Sequence, residues 1–171
     1  CNSCLSFLLC ITMPHTPLLN IPPAPTLDFE AALWRTGLRA IAGLDEAGRG
    51  AWAGPVAAAA VILPPDCAAA LAGVRDSKQM TAHQRAEWAA IIRQKAIAWG
   101  VGMASVVEID ELGIVPATRL AMQRALDSLQ HTAEHLLIDA LRLPKVNTPQ
   151  TALIKGDRRS LSIAAASVLA K

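Results

Sequence analysis

The spacing of apolar positions changes several times along the chain, and each change marks an element. Ile41-Ala-Gly-Leu-Asp-Glu46 is a short apolar run that carries two adjacent carboxylates, Asp45 and Glu46, to its end. Val56-Ala-Ala-Ala-Ala-Val-Ile-Leu63 is apolar throughout and is bounded by Pro64-Pro65, as expected of a fully buried strand. Gly48-Arg49-Gly50 and Gly54-Pro55 lie between the two runs, so the pattern predicts strand, turn, strand. Thr81-x-x-Gln84 is a capping box, followed at helical spacing by Trp88, Ile91, Ile92, Ala96 and Trp99. This predicts an amphipathic helix over 81–98 with both tryptophans in the core. Gly100 ends it, and 101–107 reads as a third strand.

Pro116 suits the first position of another helix, whose apolar stripe is Ala117, Ala121, Met122, Ala125, Leu126 and Leu129. Residues 136–139 and 151–155 are two further short strands. Residues 160–171 form a helix of small side chains that can pack closely on a sheet. His131 and His135 flank a turn and read as surface residues rather than ligands.

The N-terminal part looks different. Pro14, Pro17, Pro22, Pro23 and Pro25 break regular structure, which predicts an extended arm. A short helix is expected from Asp28 through Trp34 to Gly37. The expected division is therefore a disordered or extended arm over 1–37 and one domain over 38–171. Met13 is the expected start, with 1–12 as upstream read-through. Cys1-x-x-Cys4 with Cys10 and His15 nominally suits zinc, but nothing else in that segment looks folded. The body carries a single thiol, Cys67, which argues against a disulfide framework.

Composition adds a size and a charge asymmetry. With 171 residues, 53% of them apolar, the chain can bury a sizeable core, and no apolar run approaches the ~20 residues of a membrane span. The net charge of +2 is unremarkable, but residues 141–171 hold six Lys and Arg against one Asp. That local +5 leaves −3 for the rest. A basic C-terminal segment facing an acidic middle fits a phosphate-lined groove beside a carboxylate site, or simply a solvated basic face.

Three predicted strands each deliver an acid at or just past their C-terminal ends: Asp45 with Glu46, Asp139, and Asp157. That end of an α/β sheet is where ligands bind. Were the acids to converge, each pair ~4 Å apart would repel by about 4 kcal/mol at an effective dielectric of 20. Total stability is only ~5–15 kcal/mol, so several such pairs would need protonation or a bound cation. Hard oxygen donors without Cys or His favour Mg²⁺ or Mn²⁺. Spacing alone leaves the alternative that each Asp independently caps a helix or ends a strand.

The motifs resemble a known family. Asp45-Glu-Ala-Gly-Arg-Gly50 followed by Ala53-Gly-Pro-Val56 is similar to the signature of bacterial ribonuclease HII. The likeness continues through Asp76-Ser-Lys78, Glu108-Ile-Asp-Glu-Leu112, Leu120-Ala-Met-Gln-Arg-Ala125, Leu137-Ile-Asp139, Lys155-Gly-Asp157 and Ala165-Ala-Ser-Val-Leu-Ala-Lys171. It spans roughly 38–171. The resemblance implies an α/β, RNase H-like fold with a central mixed five-stranded sheet flanked by helices. It implies an endonuclease of the cytoplasm that needs Mn²⁺ or Mg²⁺ and no obligate protein partner. The implied substrates are RNA–DNA hybrids and duplex DNA with embedded ribonucleotides.

By position, Asp45, Glu46, Asp139 and Asp157 match the family's metal-binding acids, which act in a two-metal mechanism. Gly48, Arg49 and Gly50 match the segment that contacts the 2′-hydroxyl and adjacent phosphate. Lys155, Ser167 and Lys171 match positions near the nucleic-acid backbone. The chain departs from the family at Ala51 and Trp52 (usually Pro-Leu), Gly113 (usually Asn), Ala140 (usually Gly) and Ala164 (usually Ser). It has no tyrosine, whereas the family has one beyond this length that stacks at the RNA–DNA junction. A C-terminally truncated nuclease is the expectation. The alternative is a hybrid-binding fragment without turnover.

Overall fold

The computed structural model describes residues 21–50 and 54–171. Ala51 and Trp52, the upstream segment 1–12 and the Cys1–His15 pattern lie outside the described residues. Five strands form one sheet in the order β3-β2-β1-β4-β5. β1 (Ile41–Ala47), β2 (Val56–Ile62) and β3 (Ala98–Ala104) pair antiparallel; β4 (His135–Asp139) joins β1 in parallel, and β5 (Gln150–Leu153) joins β4 in parallel. β1, β4 and β5 therefore end at the same edge of the sheet.

Helices cover both faces. On one, α4 (Ile114–Asp127) presses Ala117, Ala121, Met122 and Ala125 against Ala42, Leu44, Ala58, Ala60, Leu136 and Ile138. On the other, α5 (Leu161–Ala170), buried along its length, and α2 (Ala82–Lys95) pack on Ala59 and Val61. The abundance of Ala and Gly has a geometric cause, since it lets helix backbones approach the sheet closely. A Cβ on Gly102 would lie 2.3 Å from Ala121 O, and one on Gly100 2.3 Å from Ala125 O. No helix among the described residues is long and apolar enough to cross a membrane.

Two expectations need correction. The helix expected over 81–98 ends at Lys95, because 96–104 turns into β3; its Thr81–Gln84 capping box is present. Trp99 thus sits on β3, 39% exposed with the Arg93 guanidinium 5.2 Å from its ring, while Trp88 packs on the core. Val106-Val107 does not extend the strand, because the Ser105 hydroxyl accepts from Glu108 N–H and starts α3 (Val106–Leu112). The short helix expected from Asp28 is present. α1 (Asp28–Arg35) buries Glu30 and seats Phe29, Leu33 and Trp34 on Ile41, Leu137, Leu153 and Ile163. Thr26 bridges to Ser160.

Candidate active site

Asp45 comes near the end of β1 and is 3% exposed; Glu46 follows, and its N–H donates to Asp45 Oδ1 at 2.8 Å. Asp139 ends β4. Asp157 lies in a 3₁₀ turn (Gly156–Arg158) after β5 and is 5% exposed. The backbone ties the last two together, since Gly156 N–H donates to Asp139 Oδ1 at 2.6 Å. On either side of this link the chain is left-handed without glycine, at Ala140 (φ 50°) and Lys155 (φ 54°). Such strain next to acids is a mark of functional sites.

All four carboxyls are harder to ionise than usual, and Asp139 bears on each of the other three. Burial, then Glu46, then Asp139 hold Asp45 well above its ordinary range; the nearby Ser167 hydroxyl and the Glu46 N–H pull the other way. Burial also raises Glu46, opposed chiefly by Arg49, whose Nη1 is 3.5 Å from Glu46 Oε1. Asp139 is raised by burial against the Gly156 N–H and Lys78. Burial, with Asp76 and Asp139 adding repulsion, pushes Asp157 up to about 6.

Lys78 was not singled out for a role at the sequence level, although Asp76-Ser-Lys78 belonged to the family likeness. Partial burial disfavours its charge, yet Asp76, Asp157, Asp45 and Asp139 together raise its pKa. Its positive charge therefore bears on the cluster. Asp76 is buried and accepts from Lys78 N–H at 2.9 Å, which starts the turn that carries the lysine. Ser77 Oγ lies 2.9 Å from Ser167 Oγ and so connects that turn to α5. An Asp-Ser-Lys triplet after a loop is the only local signal for these roles.

The other candidates are placed unevenly. Gly48 (φ 93°) has Pro55 O where a Cβ would be, at 2.5 Å, so the turn there needs glycine. Arg49 and Gly50 are exposed at its tip. Ser167 is buried beside Asp45. Lys171 lies four residues further, roughly 6 Å along the helix, and is exposed. Lys155 is exposed just before Gly156, and no described contact joins it to the acids. His135 is half-buried against Thr151 Oγ1 at 2.9 Å, and His131 is exposed.

The donor set suits a hard divalent cation. All four candidates are carboxylates, and Glu46 Oε2 is buried without a hydrogen-bond partner. Five acids, counting Asp76, face two cations, Arg49 and Lys78. That excess of negative charge is what a cation would balance. Among the described residues no three acidic, His or Cys side chains are already drawn into a coordination shell.

A mixed five-stranded sheet with acids at the shared end of β1, β4 and β5 defines a protein of the RNase H-like class. Solved structures with this fold include ribonuclease H2 from Pyrococcus horikoshii OT3 (TM-score 0.66, 27% identity, 76% of this chain and 69% of that one). Another is the complex of PCNA with RNase HII from Archaeoglobus fulgidus (TM-score 0.64, 28% identity, 77% and 70%). The family described as Ribonuclease HII matches residues 42–171, and the chain belongs to it. It is 57% identical over 148 residues to ribonuclease HII of Synechococcus sp. (strain JA-3-3Ab), covering 86% of this chain and 66% of that one. It is 53% identical over 143 residues to ribonuclease HII of Moorella thermoacetica, covering 84% and 68%. The chain thus spans about two thirds of the length of these relatives.

Proposed function

We propose that the chain carries the catalytic centre of an endoribonuclease that hydrolyses the RNA strand of RNA–DNA hybrids and cuts at ribonucleotides embedded in duplex DNA. The observation that carries the reading is the group of four raised carboxyls, Glu46 with an orphaned oxygen among them, at the end of three parallel strands. Family membership supports the substrate class.

Asp45, Glu46, Asp139 and Asp157 would hold Mn²⁺ or Mg²⁺. A metal held there would supply a water of lowered pKa and charge stabilisation for a departing 3′-oxygen, and the products expected are a 3′-hydroxyl and a 5′-phosphate. Asp45, the most buried and close to Glu46 and Asp139, would be the central ligand. Arg49 presents a planar guanidinium that suits a phosphate, with Glu46 orienting it from 3.5 Å. The tight turn at Gly48 brings backbone groups of 48–50 within reach of a 2′-hydroxyl, the feature that separates RNA from DNA. Lys78 offers a second cation to the backbone. Lys155 and Lys171 extend the basic surface, and Ser167 is buried near Asp45.

The test is cleavage of a duplex carrying one ribonucleotide, with and without Mn²⁺ or Mg²⁺, by the wild type and Asp45→Asn. Loss of several orders of magnitude in rate with hybrid binding retained is expected of the variant. Full cleavage in excess chelator would overturn the assignment. Binding without turnover by the wild type would mark a hybrid-binding protein instead.

A further inference from the structure

Glu30 is a carboxylate with no part in the site described above, yet it is 1% exposed and makes three hydrogen bonds through one oxygen. Oε1 accepts from Ser160 Oγ at 2.7 Å, Ser162 N–H at 3.0 Å and Ser162 Oγ at 2.6 Å. All three donors belong to the start of α5, where Ser160 is the cap and also accepts from Ile163 N–H. Oε2 is buried and unpartnered. A carboxyl group buried to this degree is unfavourable unless its partners compensate, so its bonds to α5 are where its role lies. Its three bonds fix the first turn of this ten-residue helix in one orientation.

What the turn touches gives the role. Ser160 N–H donates to Gly156 O at 2.8 Å, and Gly156 N–H donates to Asp139 Oδ1 at 2.6 Å. Asp157 is the next residue. Ser162 lies directly over Gly43, two residues before Asp45, so closely that a Cβ there would be 2.2 Å from its carbonyl carbon. One carboxylate outside the site thus braces the backbone junction from which Asp139, Asp157 and Asp45 are all held.

We infer that Glu30 is a positioning residue for the catalytic carboxylates, acting through Ser160 and Ser162 at the start of α5. The inference rests on the nuclease reading for its kinetic consequence, though not for its structural one. Glu30 touches neither substrate nor metal donors. Its loss changes how well the acids are aligned, not how well the nucleic acid is bound. Turnover therefore falls while KM stays.

The test uses the full-length protein with Glu30→Ala, Glu30→Gln and, as a control on the same helix, Leu33→Ala. At a temperature well below every melting transition, Glu30→Ala is expected to lower kcat at least tenfold with KM within twofold. Leu33→Ala, melting comparably earlier, should keep kcat within twofold. Glu30→Gln keeps the acceptor at Oε1 but places an N–H₂ where no acceptor waits, so it should restore kcat only partly. Hydrogen exchange supplies a readout free of catalysis, with amides of 161–167 opening at least tenfold faster in Glu30→Ala and those of β2 unchanged. A kcat for Glu30→Ala equal to that of Leu33→Ala, or unchanged exchange over 161–167, would overturn the inference. If the wild type itself shows no metal-dependent cleavage, the nuclease reading fails alone, and the exchange result decides the case for Glu30.

Discussion

Gly43 and Ser162 stand so close that no side chain fits between β1 and α5. A Cβ on Gly43 would meet the Ser162 carbonyl carbon at 2.2 Å and Ile163 N at 2.5 Å. Both are backbone atoms of a fully buried helix, so neither can swing aside. Gly43→Ala should therefore destabilise the fold by about 3 kcal/mol, the upper range for overpacking, and displace Asp45. Urea melts of the metal-free protein will check this. A loss below about 1 kcal/mol would mean that α5 can lift from the sheet.

Ala140 makes the opposite case. It follows Asp139 with φ 50°, a conformation costing a non-glycine residue about 1–2 kcal/mol. Ala140→Gly removes that strain but loosens the unfolded chain, for a net gain of up to about 1 kcal/mol. The expected result is a higher urea midpoint at an unchanged slope, with cleavage activity kept. A lower midpoint would show that the Ala140 methyl packs usefully.

The Asp157 carboxyl predicts a pH dependence. Its folded-state pKa is about 6 against an ordinary 3.8, raised first by burial and then by Asp76 and Asp139. Folding therefore favours the protonated form. The associated stability is fully present below pH ~4 and is lost as pH rises through about 6. In chelator, Asp157→Asn should match the wild type near pH 4 and exceed it at pH 8 by roughly 2–3 kcal/mol. Saturating Mn²⁺ should narrow or reverse the gap, because only the wild type keeps all four carboxylates. Parallel pH profiles for the two proteins would place Asp157 outside the charged cluster.

Much of this arrangement was legible in the sequence because it is local. Apolar runs with acids at their ends gave β1, β4 and the short β5 region, and one capping box gave the start of α2. What was illegible depends on contacts between distant segments. Trp99 fits a helical stripe as well as the alternating face of β3; the parting of chain at 96–98 decides, and no residue there announces it. Glu30 looks like an ordinary helix-surface acid until α5, 130 positions later, is folded against it. Lys78 likewise acquires its importance only when Asp45, Asp139 and Asp157, from other segments, come near it.

Lys78 yields the last prediction, because its two effects have opposite signs. Its ammonium faces Asp76, Asp157, Asp45 and Asp139, so it competes with any divalent cation for the same carboxylates. Removing it should leave Mn²⁺ affinity unchanged or tighter. The same charge would meet the phosphates of a bound hybrid, and losing a phosphate contact weakens binding and reduces its salt dependence by about one unit of slope. Lys78→Gln is thus expected to bind Mn²⁺ at least as tightly by calorimetry, yet to bind the hybrid several-fold more weakly with a shallower salt slope. Arg49→Ala should share the loss of hybrid affinity, by about 1.5–3 kcal/mol for a charge-assisted contact. Lys95→Ala, on the exposed end of α2, should lose little. If Lys78→Gln weakened Mn²⁺ binding and left the hybrid untouched, the lysine would be a brace for the acids and not a contact for the nucleic acid.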